Sequence, residues 1–354
     1  MIATETDRAS NEWRIVDAVT HLRAWGTGER HALPWPPYDP DTRWSIGTAD
    51  DAWLRLFDAR VSRRHAELRR ECDAWIIHDV GSRNGVRRDG ERKAHFALAP
   101  GVEVELGGVT LIAESAALVV LQAALQALLG YGDAAAGDVD RALRAVRTAA
   151  RRRETLLLAG EGDLIAIAQR LHELALGEHK PFVVCDPRRR RVDSTARAAA
   201  NYDSGKLALA AAAGGTLCVW QSRQPDDFDY VLDAIRDPSS PAQLIVCTHA
   251  LRGEPLIASP IDIPPLAARA SELDRVIDAY GADAAAKLGG AFAPADRLWI
   301  RQHESATHAQ IAKAARRLVA IRSAGGSITK AAAQLDMSHG ALSEWVARRT
   351  LPAL

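Results

Sequence analysis

A pair of polar motifs, embedded in short alternating apolar segments, limits the N-terminal part of this chain to one kind of fold. The first motif occupies residues 61–66 (VSRRHA) and the second residues 79–85 (DVGSRNG). Alternating segments such as residues 75–80 and 102–106, punctuated by glycine and proline, are typical of short strands joined by tight turns. We therefore predict a β-sandwich that extends to about Glu114.

The sequence pattern changes after this point. Two helical segments with apolar residues at three-to-four spacing come first, at residues 116–129 and 138–152. Short uninterrupted apolar runs then alternate with helical segments such as residues 164–176, which is the order of βαβ units. From residue 261 onward the pattern is helical. The runs predicted to be buried parallel strands are residues 155–159, 182–185, 216–220 and 244–248.

Composition leaves the partners open, because 45 Lys and Arg balance 45 Asp and Glu. The four cysteines form no CxxC pair, which favours buried free thiols in a reduced, cytoplasmic protein and no metal site. The longest apolar stretch, residues 113–129, is interrupted by Glu114, Gln122 and Gln126, and is short for a membrane span. The N-terminus carries no signal pattern. We expect a cytoplasmic protein with no membrane partner.

The two polar motifs resemble those of the forkhead-associated (FHA) family. That family combines a Gly-Arg turn, a Ser-x-x-His loop and a Gly-Ser-x-Asn-Gly loop, and the resemblance covers roughly residues 19–113. It implies a domain that docks phosphothreonine segments of a partner protein, such as a Ser/Thr kinase or its substrate, through charge-assisted donors on short loops. It also implies that His65 braces its loop without contacting ligand. The implied phosphopeptide-binding residues are Ser62, Arg63, Ser82, Arg83 and Asn84.

One position departs from the family pattern. The Gly-Arg turn is Gly47-Thr48 here, and the family's arginine is the residue that grips the phosphate. Thr48 carries no charge, and either Arg43 or Arg83 could compensate for it. Two alternatives stay open: a sandwich that binds its partner without phosphate, and one that serves only as a rigid head.

The middle of the chain resembles the AAA+ domain of bacterial enhancer-binding proteins, which activate the nitrogen-type sigma factor. Six short segments occur in the family's order, from the domain entry to the turn before its helical lid. They are residues 129–130, 155–161, 180–185, 214–217, 244–248 and 263–266. The resemblance implies a parallel α/β domain over residues 115–250 and a helical lid over residues 251–305.

The catalytic parts of that family are missing. A phosphate-binding loop needs glycines, a lysine for the terminal phosphates and a Ser or Thr for magnesium, but Gly162 runs directly into Asp163. Trp220 and Gln221 replace the family's acidic pair and are poor Mg²⁺ ligands. The loop that touches the sigma factor is unrecognisable between residues 193 and 213. We predict a pseudo-ATPase with no catalytic residue, cofactor or metal, and residual nucleotide binding stays open.

The C-terminal segment resembles the Fis-type helix-turn-helix that ends enhancer-binding proteins. Two helical segments, residues 328–335 and 339–349, flank a short turn, with Ser327 and Ser338 as N-cap candidates. From residue 308 to 354, seven basic residues and two acidic ones leave a local excess of +5, which favours nucleic acid. The candidate DNA-binding residues are Lys330, Ser338, His339, Gly340, Ser343, Arg348 and Arg349.

The preceding helix, about residues 308–323, favours self-association. Its apolar residues Ile311, Ala315, Leu318 and Val319 have dimer-seam spacing, so we expect a homodimer or a higher oligomer. The alternative for the tail is a three-helix cap that only dimerises.

The whole chain is predicted to be a multidomain transcription regulator and not an enzyme. Its expected parts are an FHA β-sandwich (1–114), an AAA+-like α/β domain with a parallel sheet (115–250), a helical lid (251–305) and an all-α helix-turn-helix that binds double-stranded DNA (306–354). Two alternatives stay open: a signalling scaffold with a dimerising tail, and a divergent ATPase that activates a sigma factor.

Overall fold

The computed structural model describes residues 18–34, 39, 41–191, 199–237, 239–251 and 260–352, which form two compact units. The N-terminal unit comprises the described part of Arg14–Gln122 together with Gly132–Arg144. The C-terminal unit comprises Ala123–Tyr131 and the described part of Ala145–Leu354. The division falls within two helices, α1 (Ala116–Leu129) and α2 (Asp133–Arg152). The boundaries predicted at residues 114, 250 and 305 stay predictions.

The described part of the N-terminal unit contains two sheets of short strands. One sheet has the order β2-β1-β11-β10-β7-β8 and the other β4-β3-β5-β6-β9. Neighbouring strands are antiparallel, except that β3 and β4 are parallel. The strands are β1 (His21–Ala24), β2 (Arg30–Ala32), β3 (Trp44–Gly47), β4 (Leu54–Arg55), β5 (Ala66–Glu71), β6 (Ala74–Asp79), β7 (Val86–Arg88), β8 (Glu91–Arg92), β9 (His95–Leu98), β10 (Glu103–Leu106) and β11 (Val109–Glu114).

One apolar core lies between these sheets. Strand β6 buries Trp75 and Ile77, which are alternate residues, while strand β10 buries Val104 and Leu106 from the other sheet. The period of two places every second side chain on the inner face, which is why the alternation could be read from the sequence. The predicted β-sandwich is confirmed.

The C-terminal unit contains an all-parallel sheet with the order β14-β13-β15-β16-β12-β17. Its strands are β12 (Leu156–Ala159), β13 (Phe182–Cys185), β14 (Ala200–Tyr202), β15 (Thr216–Trp220), β16 (Gln243–Thr248) and β17 (Pro260–Asp262). Every residue of β12, β13, β15 and β16 is buried, as expected where helices cover both faces of a sheet. The described helices between the strands are α3 (Leu164–Leu176), α4 (Gly205–Ala211) and α5 (Phe228–Arg236). The predicted parallel α/β region is confirmed.

The end of the chain is helical from Leu266 onward. The helical pattern predicted from residue 261 is wrong at its start, because Ile261 and Asp262 belong to strand β17. A 3₁₀ segment, Leu266–Glu272, leads into the helices α6 (Leu273–Leu288), α7 (Pro294–His303), α8 (His308–Ser323), α9 (Ile328–Gln334) and α10 (His339–Ala347). The side chains of Ser327 and Ser338 accept hydrogen bonds at the N-termini of α9 and α10, so both predicted N-caps are confirmed. Asp336 lies in the turn between them at φ 48°, in the left-handed region that Asp tolerates.

Helix α8 does not present the predicted dimer seam. Ile311, Ala315, Leu318 and Val319 are all fully buried in the apolar core of the C-terminal unit, where α8 packs against α6. The apolar stripe is real, but a helix of the same chain covers it. The interpretation of these four residues as a seam between two copies is therefore wrong.

The cysteines also depart from expectation at one position. Cys185, Cys218 and Cys247 are buried free thiols as predicted, but Cys72 is exposed. It lies in the turn between β5 and β6, with φ 52°.

Candidate phosphopeptide-binding surface

A buried histidine ties the two polar motifs of the N-terminal unit together. His65 is fully buried, and the backbone N–H of Ser62 donates to its Nδ1 at 3.0 Å. Because Nδ1 accepts, the ring proton sits on Nε2, which donates to the carbonyl of Gly85 at 3.1 Å. One imidazole thus fixes the loop after β4 against the loop after β6. The predicted bracing role of His65 is confirmed.

Ser62 lies where these two loops meet. Its hydroxyl oxygen accepts the backbone N–H of Arg83 at 3.1 Å, so the hydroxyl hydrogen remains for another acceptor. The side chains of Arg63 and Arg83 are exposed. Among the residues that the structure describes, neither arginine has a carboxylate within 4 Å, whereas their neighbour Arg64 pairs with Asp51 at 3.6 Å. A hydroxyl donor and two cations therefore share one exposed surface.

The second motif separates into an inward and an outward residue. Ser82 is only 5% exposed, and its hydroxyl accepts the backbone N–H of Gly85 at 2.9 Å. Its own N–H donates to Asp79, so Ser82 closes the turn and is not on the exposed surface. Asn84 is exposed and donates from Nδ2 to the carbonyl of Arg60 at 2.7 Å. Its side-chain oxygen remains to accept an N–H of a docked peptide.

Gly47 fixes the position of Thr48 beside the first motif. A Cβ at Gly47 would lie 2.2 Å from the carbonyl oxygen of Arg63, so only glycine fits there. The N–H of Thr48 then donates to the carbonyl of Ser62 at 3.1 Å. Thr48, at the position that the family pattern gives to an arginine, therefore lies directly beside Ser62.

The structure separates the two arginines that could compensate for Thr48. Arg43 precedes β3 and Thr48 follows it, a separation of roughly 16 Å in an extended strand. Arg83 instead donates its backbone N–H to Ser62. Of the two, only Arg83 lies at the candidate surface.

The sequence motifs did not indicate Arg60 as part of this surface. Arg60 pairs with Asp58 and supplies the carbonyl that Asn84 binds. The turn at Gly107 packs closely against the backbone of Arg60, since a Cβ at Gly107 would lie 2.2 Å from the carbonyl oxygen of Arg60. A cavity of about 230 Å³ opens here, lined by Arg60, Asn84, Gly85, Arg87, Glu105 and Gly107.

The loop that resembles a phosphate-binding loop is closed in the C-terminal unit. Asp163 caps helix α3 by accepting the N–H of Ala166. A Cβ at Gly162 would lie 3.2 Å from the Cβ of Thr307, so Thr307 covers the loop. At the end of β15, Trp220 is buried with its ring 4.9 Å from that of His249. Residues 192–198, within the segment predicted to lack a sigma-contact loop, lie outside the described residues.

The predicted DNA-binding residues divide into two groups. Lys330, Ser338, His339 and Gly340 are exposed, as is Arg348, which pairs with Glu344. Ser343 is half-buried. Arg349 turns toward the protein, because it pairs with Glu304 at 2.7 Å and donates to the carbonyl of Trp345.

Neither a metal site nor a membrane-spanning helix is present among the described residues. Within residues 18–352, leaving aside the gaps given above, no group of three His, Cys, Asp or Glu side chains is arranged to hold a metal ion. In the same part of the chain, no helix combines the length and the apolar character needed to cross a bilayer.

Comparison with known proteins identifies one part of the N-terminal unit. The FHA domain family model matches residues 44–107. An oxoglutarate dehydrogenase inhibitor of Corynebacterium jeikeium is 41% identical over 68 residues, which are 19% of this chain and 47% of that protein. The glycogen accumulation regulator GarA of Mycobacterium tuberculosis is also 41% identical over 68 residues, 19% of this chain and 42% of that protein. This chain thus spans less than half the length of these relatives.

A solved structure is similar to part of the chain. An FHA domain from a study of phosphothreonine-dependent interactions is 30% identical, with 26% of this chain and 91% of that chain covered and a TM-score of 0.23. Nothing in the comparisons identifies the remaining residues as an AAA+ domain or as a Fis-type helix-turn-helix. Residues 44–107 of this chain are an FHA domain.

Proposed function

We propose that the FHA domain docks a phosphothreonine segment of a partner protein. The supporting observation is the shared exposed surface of Ser62, Arg63, Arg83 and Asn84, held in place by His65. Phosphate oxygens accept charge-assisted hydrogen bonds from arginine, and the peptide backbone is met by the side-chain amide of Asn84. The partner is a phosphoprotein, such as a Ser/Thr kinase or a kinase substrate.

One feature supports phosphate-dependent binding although Thr48 replaces an arginine. Arg63 and Arg83 have no carboxylate partner among the described residues, so their charge is available to a phosphate. The relatives named above are an inhibitor and a regulator, which is consistent with a docking role and not with catalysis by this domain. We expect weaker phosphate binding than in an FHA domain that keeps the arginine.

A peptide-capture experiment tests the proposal. The full chain is immobilised and exposed to a degenerate phosphothreonine peptide library and to its unphosphorylated counterpart. Capture of the phosphorylated library alone, lost in Arg63→Ala/Arg83→Ala, is the expected result. Arg64→Ala is the matched control, since this neighbouring exposed arginine already pairs with Asp51. Equal capture of both libraries contradicts phosphate recognition.

A second proposal concerns helices α9 and α10, which we infer bind double-stranded DNA. The observation that favours it is the exposed, capped N-terminal end of α10 with Ser338, His339 and Gly340, flanked by Lys330 of α9. Side chains at such an end meet base edges in the major groove. The chain is then a transcription regulator that joins a phosphoprotein partner to DNA. Crosslinking of the tagged protein to genomic DNA tests this, and an absence of enriched sites favours the alternative of a signalling scaffold.

The α/β region is proposed to be non-catalytic. Its support is the closed loop at Gly162, where Asp163 occupies the helix N-terminus that a phosphate would need. We expect no ATP hydrolysis above background by the full chain with Mg²⁺. ATP turnover that depends on Asp163 or Gln221 would instead support the alternative of a divergent ATPase.

A further inference from the structure

A cluster of cations lies on Trp345, between helix α8 and the end of helix α10. The guanidinium carbon of Arg317 lies 4.9 Å from the centre of the Trp345 ring, and that of Arg349 lies 5.0 Å from it. Stacking on an indole stabilises a guanidinium and restricts its orientation. Two arginines are therefore held at the same aromatic side chain.

These side chains line a cavity of about 180 Å³, together with Glu304, Gln310, Lys313 and Ala314. Since liquid water takes about 30 Å³ per molecule, the cavity has room for a tetrahedral oxyanion. Lys313, Arg317 and Arg349 face it with one carboxylate, Glu304. Cations therefore outnumber carboxylates by two.

The two arginines differ in what their donors already bind. Arg349 donates from Nε to Glu304 at 2.8 Å and from Nη1 to the carbonyl of Trp345 at 3.2 Å. Arg317 has neither an ion pair nor a hydrogen-bond acceptor among the residues that the structure describes. Its burial and the nearby charge of Arg349 lower its pKa. A half-buried cation beside a second cation is costly without an anion.

We propose that this cavity binds a backbone phosphate of DNA, with Arg317 and Lys313 donating to the phosphate oxygens. The proposal rests on the DNA binding proposed above for α9 and α10, because Arg349 follows α10 closely in the chain. Contacts to phosphate fix the register of a protein on the duplex without reading its sequence. Glu304 has the positioning role of holding Arg349 on Trp345.

The salt dependence of DNA binding tests the proposal. The full chain is titrated into a labelled mixed-sequence duplex, followed by fluorescence anisotropy, as wild type, Arg317→Gln and Lys313→Gln. Each lost phosphate contact flattens the slope of log affinity against log salt by about 0.9, so the affinity lost between about 50 and 200 mM salt shrinks about 3- to 4-fold. We expect this change in both variants. Lys313 has an exposed side chain, so its variant keeps the test valid if Arg317→Gln misfolds.

Arg316→Gln is the matched control. Arg316 is an exposed neighbour on the same helix and does not line the cavity, so the slope should stay at its wild-type value. An equal flattening in this control overturns the proposal, because any arginine on the helix would then suffice.

Inorganic phosphate separates the possible sources of the anion. Thermal unfolding is compared in phosphate and in chloride at equal ionic strength for the wild type and Lys313→Gln. If phosphate stabilises only the wild type while DNA slopes are unchanged, the cavity takes free phosphate and the DNA assignment is overturned. If the wild type binds no duplex at all, the proposed DNA function fails, and the phosphate comparison alone decides whether the cavity binds an anion. Unchanged slopes with no phosphate effect overturn the site itself.

Discussion

Two glycine-containing loops of this molecule resemble phosphate-binding loops, and they differ in what covers them. In the FHA domain, Gly47 is approached by the backbone of Arg63, while the side chains of Arg63 and Arg83 stay exposed. In the α/β region, Gly162 is approached by Thr307, the residue that caps the later helix α8. Glycine permits close approach in both places. Only in the FHA domain do polar side chains beside the glycine, those of Arg63 and Arg83, remain exposed to solvent.

The two loops also differ in how their own backbone donors are satisfied. The FHA loops use His65 and Ser82 as internal partners, and the side chains of Arg63 and Arg83 stay exposed beside them. At the start of α3, the carboxylate of Asp163 takes the N–H that a phosphate would bind. A resemblance to a phosphate loop therefore predicts binding only where cationic or donor side chains near the loop are left exposed.

A matched pair of glycine substitutions should give the largest effect. In Gly47→Ala the new Cβ would meet the carbonyl oxygen of Arg63 at 2.2 Å, and overpacking of this kind costs about 1–3 kcal/mol or more. We expect phosphopeptide binding to fall at least about tenfold, because Thr48 and Ser62 move with the loop. Peptide binding by anisotropy and denaturant unfolding measure the two effects.

The partner substitution, Gly162→Ala, should affect stability alone. Its φ of 85° disfavours a side chain and its Cβ would contact Thr307, so we expect a loss of about 1–2 kcal/mol. Peptide affinity should stay at the wild-type value. A loss of peptide binding in Gly162→Ala would show that the two loops are not independent.

Lowering the pH should decrease the stability of the fold through His308, which is next to the residue that covers Gly162. His308 follows Thr307 and is almost fully buried, and this burial, with the charge of Arg269, lowers its pKa from 6.5 to about 4. Between these two values the unfolded chain binds a proton that the folded chain refuses, so stability falls as pH drops from 6.5 toward 4. The full effect is about 3 kcal/mol.

His308→Gln supplies the comparison for that prediction. The melting temperatures of the wild type and the variant are measured from pH 7 down to about pH 5, before most carboxylates titrate. The gap between them should narrow as the pH falls, since only the wild type loses stability through this imidazole. A constant gap would indicate that the pKa of His308 is the same in the folded and unfolded states. His172 also has a pKa lowered by burial, and it contributes equally to both proteins.

The sequence predicted the buried parts of the fold well because buried strands and buried helix faces have recognisable patterns of apolar residues. Strands β12, β13, β15 and β16 are buried throughout and read as uninterrupted apolar runs. Strand β14 (Ala200–Tyr202) was missed because three residues with a central Asn carry no such pattern. The failed dimer seam on α8 has the same origin, since an apolar stripe shows that a face is covered but not by which helix.

The sequence predicted which residues belong to the candidate site, but it did not predict whether their side chains face the protein interior or the solvent. Ser82 and Asn84 lie two positions apart in one motif, yet one hydroxyl turns inward to Gly85 and the other side chain stays exposed. Arg349 was predicted to bind DNA together with Arg348, but it pairs with Glu304, which lies 45 residues away in sequence. Such directions depend on tertiary contacts that no local pattern records.

Restoring the family's arginine at position 48 should increase the affinity of the FHA domain for a phosphopeptide. In Thr48→Arg a cation is placed beside Ser62, where Thr48 now donates its backbone N–H. A hydrogen bond to a charged group contributes about 1.5–3 kcal/mol, so phosphopeptide affinity should rise about tenfold or more. Thr42→Arg adds the same charge before β3, at the opposite end of the strand, and should change affinity little. Equal gains in both variants would mean that net charge alone acts.

Restoring a lysine to the closed loop should achieve almost nothing. In Asp163→Lys the cap on α3 is lost, which costs about 1 kcal/mol, while Thr307 still covers Gly162. The new cation lacks the glycine cradle and the Mg²⁺ ligands that a nucleotide needs, because Trp220 and Gln221 remain at the end of β15. Binding of a fluorescent ATP analogue with Mg²⁺ should therefore stay at background. Saturable binding in this variant would mean that the missing lysine, and not the covered glycine, prevents nucleotide binding. The difference between the two loops would then depend on a single side chain and not on what covers each glycine.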